Sequence, residues 1–284
     1  MEKINKFLVI GGDLRNVELA KLLKEDGKTV YTYGMNVNSS ETLEKSVEDI
    51  EVVIGPIPFS RDDLTVNSKF VESKILIKDL LERIKGKSLI AGNISKEVEE
   101  IAKNYNIEVI DIMKSEKLAV LNTIATAEGT IEIMIANTNT ILFNSNVLIL
   151  GFGRVAKTLA IRLKGLVQSI TCASREDEEL AWIEVYGYEK IDLNNFSKYQ
   201  EIEKSLTNYD VIINTIPSMI LDVEKLKYVD KETLLIDLAS NPGGIDKEEA
   251  KNQGIKLIHA LGLPGKVAPK SSAKFIKDIV YEII

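Results

Sequence analysis

Short runs of β-branched and aliphatic residues alternate along the chain with amphipathic stretches of helix length, and glycines or polar turns stand at many of the junctions. This rhythm predicts repeated β-α units with parallel strands covered by helices on both faces. In the first half it predicts strands at Phe7–Ile10, Thr29–Tyr33, Val52–Ile54, Ser88–Ala91 and Glu108–Ile110, and helices at Val17–Lys24, Val71–Ile84 and Lys96–Asn104. The stretch from Gly34 to Val66 has no clear period. In the second half it predicts strands at Val147–Leu150, Ser169–Ala173, Val211–Asn214, Leu234–Leu238 and Lys256–Ala260, with helices at Val155–Lys164, Glu178–Val185 and Lys198–Leu206.

Between the halves, apolar side chains at Ile124, Ile131, Ile133, Met134 and Ile135 predict one long helix over 122–140, a rigid connector rather than a loose linker. The last stretch, Lys270–Ile284, carries Phe275, Ile276, Ile279, Val280 and Ile283 on one side and predicts another helix. The expected fold is therefore α/β, with two Rossmann-like doubly wound parallel-sheet domains joined by crossover helices. Residues 1–121 form the first, onto which helix 270–284 packs back, and residues 141–269 form the second. Ligands in such folds bind at strand carboxyl ends, and a cleft between the domains is expected.

Composition narrows the function. At 284 residues the chain is about twice a typical domain, which excludes one small domain, and its 45% hydrophobic share provides for sizeable cores. A net charge of -7 has the wrong sign for wrapping a nucleic-acid backbone. One cysteine (Cys172) and one histidine (His259) allow neither an internal disulfide nor a Cys/His zinc site, so no metal is expected. The start enters a strand-like run without the order of a secretion signal, and no run approaches the ~18 apolar residues of a membrane span. A cytoplasmic protein without membrane contact is expected.

The sharpest motif is V-L-I-L-G-F-G-R-V-A, in which Gly151, Gly153 and Ala156 follow a strand and open a helix in the G-x-G-x-x-[GA] spacing. The first glycine permits the tight turn, the second lets backbone amides approach a pyrophosphate, and the alanine keeps helix close to sheet. Phe152, Arg154 and Val155 complete that turn. Beyond the next strand Ser174 and Arg175 stand where an NAD-preferring site usually places an acid. A hydroxyl and a guanidinium there suit a 2′-phosphate, so NADP is expected ahead of NAD. The run Glu176, Asp177, Glu178, Glu179 opposes that reading, since it suits a helix start and repels phosphate.

Thr215, Ile216 and Pro217 in N-T-I-P, and Ala239 and Ser240 in D-L-A-S-N-P-G-G, end later strands and are expected on the same nucleotide rim. Lys266 and Lys270 in G-L-P-G-K-V-A-P-K are candidate anchors for a substrate carboxylate, as is Arg15 just past I-G-G-D. Asp13 stands where a pyrophosphate would have to approach, so the first half is expected to bind something other than a dinucleotide. Thr126 and Glu128 are expected at the start of the connector helix. His259, late in a strand, reads better as a packing residue than as an acid/base.

With these segments in place, the chain resembles the A-subunit family of dipicolinate synthase over nearly its whole length. The likeness rests on G-G-D-L-R at 11–15, T-A-E-G-T-I at 126–131, L-G-F-G-R-V-A at 150–156, N-T-I-P-S-M-I-L at 214–221, D-L-A-S-N-P-G-G at 237–244 and G-L-P-G-K-V-A-P-K at 262–270. Ala125 replaces an expected proline, and Ser271-Ser272-Ala273 an expected T-A-G. The resemblance implies NAD(P)-dependent oxidation of dihydrodipicolinate, a dicarboxylate, to dipicolinate in the mother cell during sporulation, beside a flavoprotein B-subunit. A homo-oligomer is compatible with it. Two carboxylates would use Arg15, Lys266 and Lys270, and Glu128 or Asp13 would take the proton. The alternatives are a two-domain hydroxyacid- or alanine-type dehydrogenase, which usually relies on a catalytic histidine, and a nucleotide-binding component that leaves the redox step to its partner.

Overall fold

The computed structural model describes residues 4–35, 43, 47–71, 74–195 and 206–284. The chain divides into two compact units, Met1–Asn122 with Pro264–Ile284, and Thr123–Leu263. Each is built on a parallel sheet.

In the first unit the strands are β1 (Lys6–Ile10), β2 (Thr29–Tyr33), β3 (Val52–Ile54), β4 (Ser88–Ala91) and β5 (Glu108–Asp111), in the spatial order β2-β1-β3-β4-β5. Side chains alternate across the sheet, so each strand feeds two cores. Phe7, Val9, Val52 and Ile90 meet helix α1 (Leu14–Glu25) and the C-terminal helix, whereas Leu8, Ile10, Val53 and Leu89 meet α2 (Ile77–Arg83) and α3 (Lys96–Asn104). Burial on both faces explains why β1, β3 and β4 read as apolar runs. Each buried Leu or Ile contributes about 1.5–3 kcal/mol.

The helix expected over Val71–Ile84 is confined to α2, and residues 72–73 lie outside the described ones. The middle of that stretch is taken by backbone pairing, because Val66 N donates to Ile75 O and Ile77 N to Leu64 O. The connector helix α4 spans Glu116–Asn137 instead of 122–140. Ser115 caps it early by accepting from Leu118 N at 3.3 Å. At its other end the Thr138 hydroxyl donates to the Met134 carbonyl. By length and composition α4 is apolar enough to cross a membrane, a feature hidden from a run-length reading because Glu128 and Glu132 interrupt it. Its Ala127, Thr130 and Met134 are buried, and the first and last of these belong to the core of the second unit.

That second unit holds β6 (Asn146–Leu150), α5 (Arg154–Leu163), β7 (Ser169–Ser174), α6 (Asp177–Val185), β8 (Glu189–Asp192), β9 (Val211–Asn214), α7 (Val223–Leu226), β10 (Leu234–Asp237), α8 (Lys247–Asn252) and β11 (Leu257–His259). Its sheet order is β11-β10-β9-β6-β7-β8, the arrangement of a dinucleotide-binding fold, with the strand order reversing between β6 and β9. The helix expected at Lys198–Leu206 falls outside the described residues save for Leu206. Strand β8 is absent from the sequence expectation, since a polar edge strand carries little apolar signal. The short helices α7 and α8 start at Asp222 and Asp246, whose carboxylates accept from Lys225 N and Glu249 N. The chain closes with α9 (Leu263–Val267) and α10 (Pro269–Ile283).

Candidate functional site

The carboxyl ends of β6, β7, β9 and β10 gather most of the nucleotide residues expected from sequence. Gly151 leaves β6 at φ +97°, a conformation that favours glycine. A Cβ there would stand 2.4 Å from Thr215 Oγ1 and 3.0 Å from an Ile216 side-chain carbon, so the turn lies directly against the loop after β9. Gly151 N donates to the Ala173 carbonyl at 2.8 Å, which ties the turn to the end of β7 as well. Gly153 caps α5 without a side chain, and a Cβ on it would meet nothing within 4 Å. Ala156 is buried against the sheet. An open helix start with Arg154 and no acid in its first turn fits a pyrophosphate on the amides.

Phe152 turns its side chain into the core. Its ring is fully buried, edge-on to Tyr186 and Tyr188, with the Lys157 ammonium 5.7 Å from its centroid. Val155 is half-buried on the same turn.

The loops after β9 and β10 are organised by Asp237, the residue at the head of D-L-A-S-N-P-G-G that carries no role in the sequence expectation. It is fully buried, and its carboxylate accepts from Asn214 Nδ2 at 2.9 Å, Ala239 N at 3.1 Å and Gly244 N at 2.8 Å. Asn214 in turn accepts from Ile216 N and donates to its carbonyl, and the Thr215 hydroxyl donates to Leu150 O. Thr215, Ile216 and Ala239 are thereby held in one network, with Pro217 and Ser240 exposed beyond it. His259 Nε2 lies 2.9 Å from the Ala239 carbonyl, a packing contact that requires its Nε2–H form. Burial pushes the Cys172 thiol up to about 12, leaving it inert at neutral pH.

At the end of β7, Ser174 is buried and its hydroxyl donates to Glu179 Oε2 at 2.5 Å while accepting from Glu176 N at 3.2 Å. Arg175 is exposed, with its carbonyl held by Asn194 Nδ2.

The substrate candidates divide between the units. Asp13 caps α1, accepting from Arg15 N at 3.0 Å, and its two oxygens take Arg15 Nε at 2.9 Å and Nη2 at 3.0 Å. Arg15 Nη2 also donates to Ile57 O at 2.7 Å. Both side chains are buried, and Gly265 lies over the pair, since a Cβ there would come within 2.4 Å of Asp13 Oδ2. Burial alone would raise the Asp13 carboxyl, but the Arg15 guanidinium and amide outweigh it and hold the group below the usual carboxylate range, a poor base. Lys266 and Lys270, which follow Gly265 in sequence, are exposed. Thr126 and Glu128 belong to the second unit and stand in mid-helix on α4, not at its start. Thr126 is half-buried with its carbonyl accepting from the Thr130 hydroxyl, and Glu128 is exposed. Among the described residues no three His, Cys, Asp or Glu side chains gather to hold a metal.

The family model of the dipicolinate synthase A-subunit N-terminal domain matches residues 6–113, and that of the alanine dehydrogenase/PNT C-terminal domain matches 118–281. The dipicolinate synthase A-subunit of Bacillus subtilis (strain 168) is 30% identical over 98% of this chain and 95% of its own length. The crystal structure of the dipicolinate synthase A-subunit from Bacillus halodurans superposes with a TM-score of 0.85 at 27% identity, over 98% of this chain and 97% of that one. A shikimate dehydrogenase (NADP(+)) from Methanococcus maripaludis is 28% identical over 130 residues, 43% of this chain and 46% of its own.

Proposed function

The chain belongs to the A-subunit family of dipicolinate synthase, and from that premise we propose that it oxidises dihydrodipicolinate to dipicolinate in the cytoplasm of the sporulating mother cell, acting with a flavoprotein B-subunit. The observation that carries the redox half of this reading is the open Gly151–Gly153 turn at the start of α5, on a sheet of dinucleotide-binding order. The bound nucleotide supplies a hydride acceptor. A ring carbon of the substrate loses a hydride and its neighbour a proton, and the aromatic ring so formed supplies much of the driving force.

The chain's own residues then hold and neutralise. Amides of the Gly153 turn take the pyrophosphate, and the Asp237–Asn214 network fixes Thr215, Ile216 and Ala239 around the nucleotide. Lys266 and Lys270 take the substrate carboxylates. Two of the Arg15 nitrogens are committed to Asp13 and Ile57, so Arg15 acts chiefly as a positioning residue beneath the short helix α9 that carries Lys266. With Asp13 held as a weak base, Glu128 is the better proton acceptor. Arg175 and the kinship to a dehydrogenase named for NADP(+) favour the phosphorylated nucleotide, whereas the carboxylate against Ser174 opposes it.

The test is dipicolinate formation, followed by terbium luminescence, with dihydrodipicolinate generated in place and NAD or NADP supplied. Product from this chain plus nucleotide is the expected result. Product only on adding the flavoprotein would make this chain the nucleotide-binding half of a composite catalyst, and none in either case would remove the assignment.

A further inference from the structure

We propose that Glu179, held against Ser174 at the carboxyl end of β7, selects a nicotinamide dinucleotide with a free adenosine diol against one that carries a 2′-phosphate. This rests on reading the Gly151–Gly153 turn as the nucleotide site. In a sheet of this order the adenosine ribose stands over the end of the second strand, which here is β7, tied to the glycine turn by the Gly151 N to Ala173 O bond. That strand ends in serine rather than an acid, so the sequence suggests a phosphate pocket. The geometry points the other way.

Ser174 is 3% exposed and its hydroxyl is spent. It donates its proton to Glu179 Oε2 at 2.5 Å and accepts from Glu176 N at 3.2 Å, so that proton is not open to a phosphate. What the strand end offers instead is the half-buried carboxylate of Glu179. A carboxylate is acceptor-only and has lone pairs to receive both hydroxyls of a ribose diol. A phosphate dianion has no proton to give it and meets a like charge at close range.

The surrounding charge reinforces the choice. Glu176 lies just before α6, Asp177, Glu178 and Glu179 occupy its first turn, and Arg175 stands beside them exposed. Those carboxylates already complement the positive end of the helix, so it adds little attraction for an incoming phosphate. The acid that sequence spacing places at the strand end is supplied here from the following helix, through the serine.

Calorimetric titration of the full chain with NAD and with NADP, separately, tests this without turnover. Wild type is expected to bind NAD more tightly by on the order of tenfold at physiological salt. Glu179→Gln removes the charge but keeps the shape; it should gain NADP affinity and close the gap, and Glu179→Ala should do the same while losing NAD affinity. Ser174→Ala, with the carboxylate still present, should keep the NAD preference. Equal or tighter NADP binding by wild type, or an unchanged ratio in Glu179→Gln, would overturn the proposal. Absence of binding by either nucleotide would instead sink the nucleotide site itself, and the selection with it. Far-UV circular dichroism of each variant establishes that the fold is retained.

Discussion

Two strand-to-helix turns occupy corresponding places in the two units, and they are built to opposite ends. After β1, Gly12 N donates to Asn67 O and Gly12 O accepts from Lys69 N, Asp13 caps the helix, Arg15 forks onto Asp13, and Gly265 covers them. The polar groups named at that helix start take their partners from the chain itself. After β6, Gly153 caps α5 with no side chain, and the space over it is open. Both sheets are parallel and both turns begin with glycine at positive φ, so the fold alone does not decide which unit takes a polyphosphate. In the function proposed above, the side chain at the cap decides it: a buried carboxylate at position 13, a hydrogen atom at position 153.

The sharpest way to break this contrast is to remove the arginine that neutralises the closed turn. Arg15→Ala leaves the buried Asp13 carboxylate without its guanidinium, and stability should fall by about 3–5 kcal/mol, the usual cost of halving a buried ion pair. Urea unfolding measures it. The double variant Asp13→Ala, Arg15→Ala should recover part of the loss, because no uncompensated charge remains. Nucleotide affinity of folded Arg15→Ala should match wild type, and a tenfold loss would mean that the closed turn also serves the nucleotide.

A milder comparison places the same methyl on both turns. Gly12→Ala forces a Cβ at φ +92° to within 2.1 Å of Asn16 Oδ1, which displaces that side chain and strains the backbone, at a cost of about 1–3 kcal/mol. Gly153→Ala adds a Cβ at φ -73° in open space, so stability should change by less than about 0.5 kcal/mol. Its effect should appear in binding, as a roughly tenfold weaker nucleotide affinity where the backbone must approach the pyrophosphate. Equal thermal shifts in the two variants would erase the distinction between a filled and an open turn.

How far the molecule is legible in its sequence depends on whether the signal is local. Strands such as Phe7–Ile10 and Val211–Asn214 are buried on both faces and announce themselves as apolar runs, and the spacing of Gly151, Gly153 and Ala156 carries its own turn. What stays hidden depends on partners distant in the chain or on competition for backbone groups. Nothing near Asp13 says that Gly265 will lie over it, and nothing in D-L-A-S says that Asp237 will hold Asn214 from 23 residues away. Val71–Ile84 has helical periodicity, yet its middle is drawn into pairing with the Leu64–Val66 turn. Glu179 is visible only as one acid in a run; the bond to Ser174 that gives it a role is a product of folding.

The smallest effect concerns acid. Among the described residues of the first unit four carboxyls are held below their ordinary values: Asp13 by Arg15 against its own burial, Asp26 by Lys277, Glu51 by the amides of Asn5 and Lys6, and Asp62, down to about 2, by the amides of Thr65 and Leu64. Among the described residues of the second unit the corresponding group is Asp222, which burial would raise but which Lys225 lowers. Each folded value lies below the unfolded one near pH 4, so each contribution to stability is present above that pH and is lost as the pH falls through the folded value. The first unit should therefore loosen first as the pH is lowered from about 4.5 toward 2. Two probes separate the units, since the single tryptophan, Trp182, lies in the second while far-UV circular dichroism reports on both. Loss of ellipticity should begin at a higher pH than the change in Trp182 fluorescence. Coincident transitions, or fluorescence changing first, would mean that the closed turn and the other lowered carboxylates of the first unit add no acid sensitivity of their own, and that the contrast between the units is one of ligand access alone.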